Sequence, residues 1–171
     1  MTPMRKVSSD TPWEPLVGYS RAVAVGDFVL VSGCTSTRDG QFVHEGDAAA
    51  QTAQAIANVA RALERLGAGL PDVVRTRMFV TDITRWREYG AAHGAAFGQT
   101  LPATSMLGIS ALVDPRMLVE VEAVAYKPGA GTLGEPVGGT RGQPAAGTRG
   151  EPAAGTRGEP LGPLGPGEST A

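Results

Sequence analysis

The C-terminal 44 residues limit how much of this chain can form a hydrophobic core. Residues 128–171 contain 13 of the 24 glycines and 7 of the 13 prolines, and from Gly131 they repeat with a period of eight. Each repeat carries at most one large apolar side chain, so burial cannot offset the entropy cost of ordering it. We expect one domain over residues 1–127 and a disordered tail over 128–171. The alternative is that the repeats form a recognition motif for a partner.

Composition and charge exclude several classes of protein. The 15 Lys and Arg nearly balance the 17 Asp and Glu, whereas nucleic-acid binding usually shows as a basic excess. The single cysteine, Cys34, excludes an internal disulfide and a cysteine-rich zinc site. No apolar run is long enough for a membrane span or a signal sequence. We therefore expect a cytoplasmic protein without a metal, a nucleic-acid partner or a membrane partner.

Periodicity in the first 127 residues predicts five strands and two helices in one domain with an open α/β or α+β sheet. The expected strands are 22–25, 28–31, 72–82, about 103–112 and 117–126, and the expected helices are 47–67 and 84–99. Asp47 is a plausible N-cap, and Gly67 a plausible stop. The expected apolar helix faces comprise Ala53, Ile56, Ala60, Leu63 and Leu66 in the first, and Trp86, Tyr89, His93 and Phe97 in the second. This order predicts a single sheet with both helices on one face.

Several of these strands are apolar on both sides. In the strand at 72–82, Met78 and Val80 point to one side and Phe79 to the other. Two helices can cover only one face, and a large uncovered apolar face is typical of a protein–protein interface. We therefore expect an obligate homo-oligomer.

The last strand separates apolar residues from a pair of carboxylates. Glu120 and Glu122 alternate with a wholly apolar side, which must face the helices. Two carboxylates on the face expected between subunits are costly unless they are hydrogen-bonded or used. They could stay solvated at the rim or pair with Arg75 and Arg77, or one could act as a general base in a cleft between subunits.

Five stretches of the domain, in this order, resemble the Rid (YjgF) family of reactive-intermediate deaminases. They are residues 17–20 (VGYS), 31–33 (VSG), 73–82 (VVRTRMFVTD), 102–105 (PATS) and 119–123 (VEVEA). The resemblance implies a chorismate-mutase-like α+β fold and a homotrimer with three sites between subunits. It also implies hydrolysis of imines and enamines, such as 2-iminoacids and aminoacrylate, to a carbonyl compound and ammonia without a cofactor.

The resemblance also implies roles for individual residues. The family's pocket tyrosine and glycine match Tyr19 and Gly33, and the glutamate that positions the attacking water matches Glu120. An asparagine common in the deaminases is replaced by Gly90. The arginine that grips a substrate carboxylate is replaced by Thr104.

The threonine at position 104 departs most from the family pattern. A hydroxyl is neutral, whereas a guanidinium makes two charge-assisted hydrogen bonds that are roughly twice as strong. Either the substrate has no carboxylate, which we favour, or another basic group such as Arg75 or Arg77 has taken over.

Two further residues are expected near the pocket. Cys34 follows Gly33 and could be a nucleophile, although a lone cysteine after a strand is more often a small buried hydrophobe. His93 shares the face of the second helix with aromatic residues, which is typical of a packed histidine but also borders the expected cleft.

Two functions follow from these residues. The first is a cofactor-independent hydrolase of an imine, enamine or similar small electrophile, with Glu120 activating water. The alternative is a non-catalytic trimer that binds small molecules or acts as a chaperone. RNA cleavage, ascribed to some relatives, is disfavoured by the balanced charge.

Overall fold

A computed structural model describes residues 4–9, 11 and 13–132 of the chain. The strands are β1 (Met4–Val7), β2 (Ala22–Val25), β3 (Phe28–Cys34), β4 (Thr37–Arg38), β5 (Gln41–Phe42), β6 (Val73–Val80), β7 (Ala103–Gly108) and β8 (Val119–Tyr126). The α-helices are α1 (Trp13–Val17), α2 (Ala48–Glu64) and α3 (Trp86–Phe97). Short 3-10 helices at Leu70–Asp72 and Ile83–Arg85 precede β6 and α3. The repeat tail predicted from Gly131 lies almost wholly outside the described residues.

Six strands form one mixed sheet in the order β1-β2-β3-β8-β6-β7. Neighbouring strands are antiparallel except β6 and β7, which run parallel. Helix α2 packs on β3 and β8 and against α3. This arrangement confirms the predicted α+β fold. A two-stranded ribbon, β4–β5, and the strand β1 were not predicted.

The core lies between the sheet and the two long helices. Every second residue of β8 from Val119 to Ala125 is buried against the helices, as its alternation predicts. The carboxylate of Asp47 caps α2 by accepting a 2.9 Å hydrogen bond from the Ala50 amide. Ile56, Leu63 and Leu66 are buried, but Ala53 is exposed, because the buried stripe runs through Ala55 and Val59 instead. None of the helices described is both long and apolar enough to cross a bilayer.

Helix α3 and the last two strands are shorter than predicted. Tyr89 and Phe97 are buried, whereas Trp86 is half exposed with Arg87 stacked over its ring. Strand β7 stops at Gly108 because it pairs there with Val80, the last residue of β6. Beyond that point β7 has no partner strand. The predicted turn before β8 is present, with the Met117 amide bonded to the Asp114 carbonyl at 3.0 Å.

The sheet face opposite the helices is largely apolar and exposed. Its exposed side chains include Phe28, Leu30, Val74, Leu107 and Tyr126, each between 43% and 46% accessible. No described element packs over them. The uncovered apolar face predicted from the strand patterns is therefore present in the chain.

Ordered contacts run five residues past the expected domain end at 127. The amides of Lys127 and Gly129 bond to the backbone and side-chain oxygens of Asp27 at 2.6 and 2.8 Å. Arg5 donates a 2.9 Å hydrogen bond to the carbonyl of Ala130, which is fully buried. Residues 128–132 therefore close over the β2–β3 turn and belong to the folded part.

Candidate functional site

Gly33 lies directly against the carboxylate of Glu120. The pairing of β3 with β8 shifts register between Val31 and Cys34, which places Gly33 in a bulge. A Cβ at Gly33 would lie 2.3 Å from Cδ and 2.5 Å from Oε1 of Glu120, closer than real Cβ contacts allow. The missing side chain at Gly33 is what makes room for this carboxylate.

The surroundings of Glu120 favour its protonated form. Burial raises the pKa of Glu120, the negative charge of Glu122 raises it further, and the positive charge of Arg21 partly opposes both. A carboxylate with a raised pKa is a stronger base than one in free solution, which suits proton abstraction from water.

Arg21 links the residues around this carboxylate by hydrogen bonds. The sequence alone did not predict a role for it. Its Nη1 donates to the carbonyls of Gly33 at 2.5 Å and Ser32 at 3.3 Å, and its Nη2 donates to the Tyr19 hydroxyl at 2.9 Å. These bonds fix the bulge and the tyrosine relative to each other. An arginine just before a hairpin resembles a solvated surface residue, and only its position two residues after Tyr19 could have singled it out.

A buried glutamate holds Arg21 in place. Glu14 accepts hydrogen bonds from the hydroxyls of Ser8 and Ser9, and its Oε1 lies 3.7 Å from Nε of Arg21. Burial is the largest influence and would raise the pKa of Glu14, but the serine hydrogen bonds and Arg21 outweigh it and lower the pKa. The side chains of Arg21 and Glu14 are only 13% and 6% exposed. The pair is therefore part of the core of this region.

We expect Arg21→Met to lower the free energy of unfolding by about 2–3 kcal/mol, because it leaves two carbonyls without their charged donor and Glu14 without its ion-pair partner. The depressed pKa of Glu14 stabilises the fold above its unfolded pKa, and this contribution is lost as the pH falls through its folded pKa. The difference between variant and parent in urea unfolding should therefore shrink on acidification. A difference that is constant down to pH 3 would contradict this assignment, and Arg21→Lys should be intermediate.

Cys34 lies beside Arg21 but does not have the environment of a reactive thiol. Its side chain is 4% exposed, and Sγ lies 3.4 Å from the Ser32 carbonyl. Burial raises the pKa of the Cys34 thiol, and the charge of Arg21 opposes this only in part. The structure therefore favours a packed cysteine over a nucleophile.

A second group of predicted residues surrounds Thr104. Its Oγ1 lies 2.9 Å from Oγ1 of Thr76, which is fully buried, and the same Thr76 atom lies 2.9 Å from Nε2 of His93. His93 also packs against Phe97, with ring centroids 4.7 Å apart. Burial lowers the pKa of His93, so the imidazole is neutral at physiological pH. Gly90 lies one turn earlier on α3, and a Cβ there would meet no atom within 4 Å.

A groove of about 250 Å³ adjoins Thr104. It lies between His93 and Phe97 on α3 and the segment from Leu101 to Thr104. Leu101 has a φ of 50°, which is uncommon for a leucine, and its side chain is highly exposed.

The two groups lie on opposite faces of the sheet. Thr76 pairs with Thr104 on β7 and with Ala123 on β8, and its side chain is buried on the helix side. Glu120 lies on the other face of β8, with β6 between it and β7. Two strand spacings alone separate β7 from β8 by about 10 Å. A single chain therefore does not bring Thr104 and Glu120 together.

Arg77 makes its ion pair with Glu122 in the single chain, and its predicted role in place of the missing arginine stays a prediction. It lies on the open face of the sheet and pairs with Glu122, with Nη1 3.4 Å from Oε2 and both side chains substantially exposed. The groove there, of about 530 Å³, is lined by Arg75, Arg77 and Glu122 but not by Glu120. Arg21 is the arginine whose positive charge lowers the pKa of Glu120. Within the described residues, no three His, Cys, Asp or Glu side chains form a group that could hold a metal ion.

Comparison with known proteins gives one consistent result. The family model described as Endoribonuclease L-PSP matches residues 10–127. A structure of Rv2704 from Mycobacterium tuberculosis, a member of the YjgF/YER057c/UK114 family, is 50% identical with a TM-score of 0.66, and the match covers 72% of this chain and 98% of that one.

Two curated relatives extend the comparison. A RutC family protein of Pyrococcus abyssi is 34% identical over 116 residues, which cover 67% of this chain and 90% of that protein. The 3-aminoacrylate deaminase RutC of Acinetobacter baylyi is 32% identical over 116 residues, covering 66% and 89%. The chain belongs to the YjgF/Rid family.

Proposed function

We propose that this protein is a cofactor-independent hydrolase that converts a small reactive imine or enamine into a carbonyl compound and ammonia. The observation that carries the proposal is the half-buried Glu120 carboxylate seated against Gly33, with Arg21 linking the glycine carbonyl to Tyr19. The name of the Acinetobacter relative, a deaminase of 3-aminoacrylate, supports the same reaction class.

In the proposed mechanism, Glu120 accepts a proton from a water molecule while the water oxygen attacks the carbon of the C=N bond. The substrate reacts as the iminium ion, already protonated by solvent, so the attack leaves a neutral intermediate with hydroxyl and amino groups on one carbon. Glu120 then returns its proton to the nitrogen, the C–N bond breaks, ammonia leaves, and the hydroxyl becomes the carbonyl as its proton is released. Because Arg21 donates to the Tyr19 oxygen, the phenolic proton is free to orient the substrate.

We also propose that the working unit is a homotrimer with its sites between subunits. Two features support this assembly: the apolar sheet face is exposed in the single chain, and the residues around Thr104 and Glu120 lie on opposite faces. Contact between copies would cover the apolar face and would bring Thr104 of one copy to Glu120 of another. The number three rests on family resemblance, and the cytoplasmic location stays a prediction from sequence.

The proposed substrate lacks a carboxylate next to the reacting carbon. Thr104 offers a neutral hydroxyl where the deaminases of the family are expected to have an arginine, and the guanidinium of Arg21 is already engaged by four oxygen atoms of this chain. A buried carboxylate without an ionic partner is costly. Glu120 is retained while the arginine is replaced by Thr104, and the two observations together favour a neutral electrophile as the substrate.

Ammonia release from freshly generated imines, with and without a carboxylate, tests the proposal. We expect the purified chain to accelerate release from at least one neutral imine beyond the spontaneous rate. Saturable binding of these compounds without any product would instead support the non-catalytic alternative. Equal rates with and without the protein for every imine would refute the hydrolase.

The pH dependence of catalysis should reflect the raised pKa of Glu120. A general base works only when ionised, so kcat/KM should rise with pH through a midpoint above the ordinary glutamate value of about 4.3. Glu122→Gln removes the neighbouring negative charge, so its midpoint should be lower than that of the parent. A midpoint that is unchanged or higher in this variant would show that another group controls the acid limb.

A further inference from the structure

Three side chains from three different elements form one continuous hydrogen-bonded chain. It runs from Nε2 of His93 through Oγ1 of Thr76 to Oγ1 of Thr104, with both distances 2.9 Å, and Thr104 can donate onward to the Pro102 carbonyl at 2.9 Å. Thr76 is fully buried and Thr104 is exposed at the groove. The chain thus connects a half-buried imidazole to a hydroxyl that a ligand can reach.

These hydrogen bonds can be donated in either of two directions, depending on which nitrogen of His93 carries the proton. If Nε2 of His93 carries the proton, it donates to Thr76 and Thr76 donates to Thr104, so the Thr104 proton is free for the Pro102 carbonyl or for a ligand. If Nδ1 carries it, Thr76 donates back to His93, and Thr104 must donate to Thr76 to keep the second bond, so it offers a ligand only a lone pair. A neutral imidazole allows both tautomers, and burial keeps His93 neutral. Thr104 can therefore accept from, or donate to, a ligand without any charge in the chain.

The groove next to Thr104 suits a small neutral group. Its volume of about 250 Å³ lies below the roughly 300–1,000 Å³ of pockets for drug-sized ligands. The side chains that line it include Phe97 and Leu101 but no Asp, Glu, Lys or Arg. A carboxylate placed there would be desolvated without an ionic partner, whereas a carboxamide would find the apolar wall and the adaptable hydroxyl that it needs.

We propose that this groove is the specificity site of the enzyme and takes a neutral carboxamide group of the substrate, with Thr104 as the residue in contact. Thr76 and His93 are positioning residues that set the direction of the Thr104 hydroxyl. This inference rests on the proposed function, because it names the substrate class of that same hydrolase.

The kinetic test compares freshly generated 2-iminopropanamide with 2-iminopropanoate. The parent protein should prefer the amide, Thr104→Val should lower kcat/KM about tenfold more for the amide than for the acid, and Thr104→Arg should reverse the preference. Thr76→Val should lower kcat/KM for the amide as Thr104→Val does. Thr76→Ser should keep the parent's value for the amide because it keeps the hydroxyl. A Thr104→Val variant with an unchanged ratio of the two rates would overturn the proposal.

A binding measurement separates this inference from the hydrolase itself. Propionamide and propionate are titrated into full-length Glu120→Gln protein, and the imidazole ¹⁵N shifts are recorded by NMR. The sequence has only two histidines, so His44→Asn assigns the spectrum, and asparagine tolerates the left-handed φ of 64° at that position.

We expect a saturable shift of His93 with propionamide, a weaker one with propionate, and neither in the Thr104→Val background. No shift, or equal shifts with both probes, would overturn the carboxamide site even if the parent releases ammonia. If His93 shifts selectively with propionamide but the parent protein turns over no imine, the hydrolase is refuted and the carboxamide site is retained.

Discussion

Glu120→Gln is expected to lower ammonia release by about 10²–10⁴-fold, the usual effect of removing a general acid or base. The glutamine keeps the shape of the side chain beside Gly33 but cannot accept a proton from water. The raised pKa means that the fold favours protonated Glu120, so the fold loses stability as pH rises through that pKa. At neutral pH the glutamine variant should therefore be at least as stable as the parent in thermal unfolding, even though it is inactive.

Glu122→Gln is the matched control, because it makes the same chemical change two residues away on the same face of β8. Glu122 pairs with Arg77 on the open face, and the three atoms nearest a Cβ at Gly33 all belong to Glu120. Its variant should keep most of the turnover at neutral pH. Full activity in Glu120→Gln, or an equal loss in both variants, would remove Glu120 from the mechanism.

Gly33→Ala is expected to lower kcat/KM by about a hundredfold with little loss of stability. The added Cβ would lie 2.3 Å from Cδ and 2.8 Å from Cγ of Glu120. Because the colliding atoms belong to a flexible side chain, the carboxylate must swing away while the backbone stays in place. A displacement of about 1 Å in a reacting group can reduce the rate by that factor. Steady-state kinetics and urea unfolding of the same preparation measure the two effects.

Gly69→Ala controls for the general cost of replacing a glycine. A Cβ at Gly69 would lie 3.5 Å from Cδ of Pro71, an ordinary contact, and the residue precedes the 3-10 helix Leu70–Asp72, outside the sheet that carries Glu120. Its kinetics should match those of the parent. If Gly33→Ala is as active as Gly69→Ala, Glu120 does not need the space that Gly33 provides.

The fold was largely predictable because its main elements carry strong local signals. The capping Asp47, the Gly26–Asp27 turn and the alternation in β8 each determine structure within a few residues. Strand β1 was missed because two of its four residues are charged and it lies at the sheet edge. The insertion of β8 between β3 and β6 is a long-range pairing that no local pattern contains.

The site was predictable only where a residue type is unusual for its place. Glu120 stood out because a carboxylate interrupts an otherwise apolar strand. Arg21 and Thr76 did not, since an arginine before a strand and a threonine within one are ordinary. Their roles come from partners far along the chain: Gly33 for Arg21, and Thr104 for Thr76. Hydrogen bonds of this kind become visible only in three dimensions.

The central claim is that a complete site needs two copies of the chain, since Thr104 and Glu120 lie on opposite faces of one sheet. Ammonia release measured on species separated by size, together with their masses from sedimentation equilibrium, tests this claim. We expect activity only in an oligomer of about three 17.5 kDa chains, falling as dilution dissociates it. A folded monomer that turns over substrate at the same rate per chain would contradict the account.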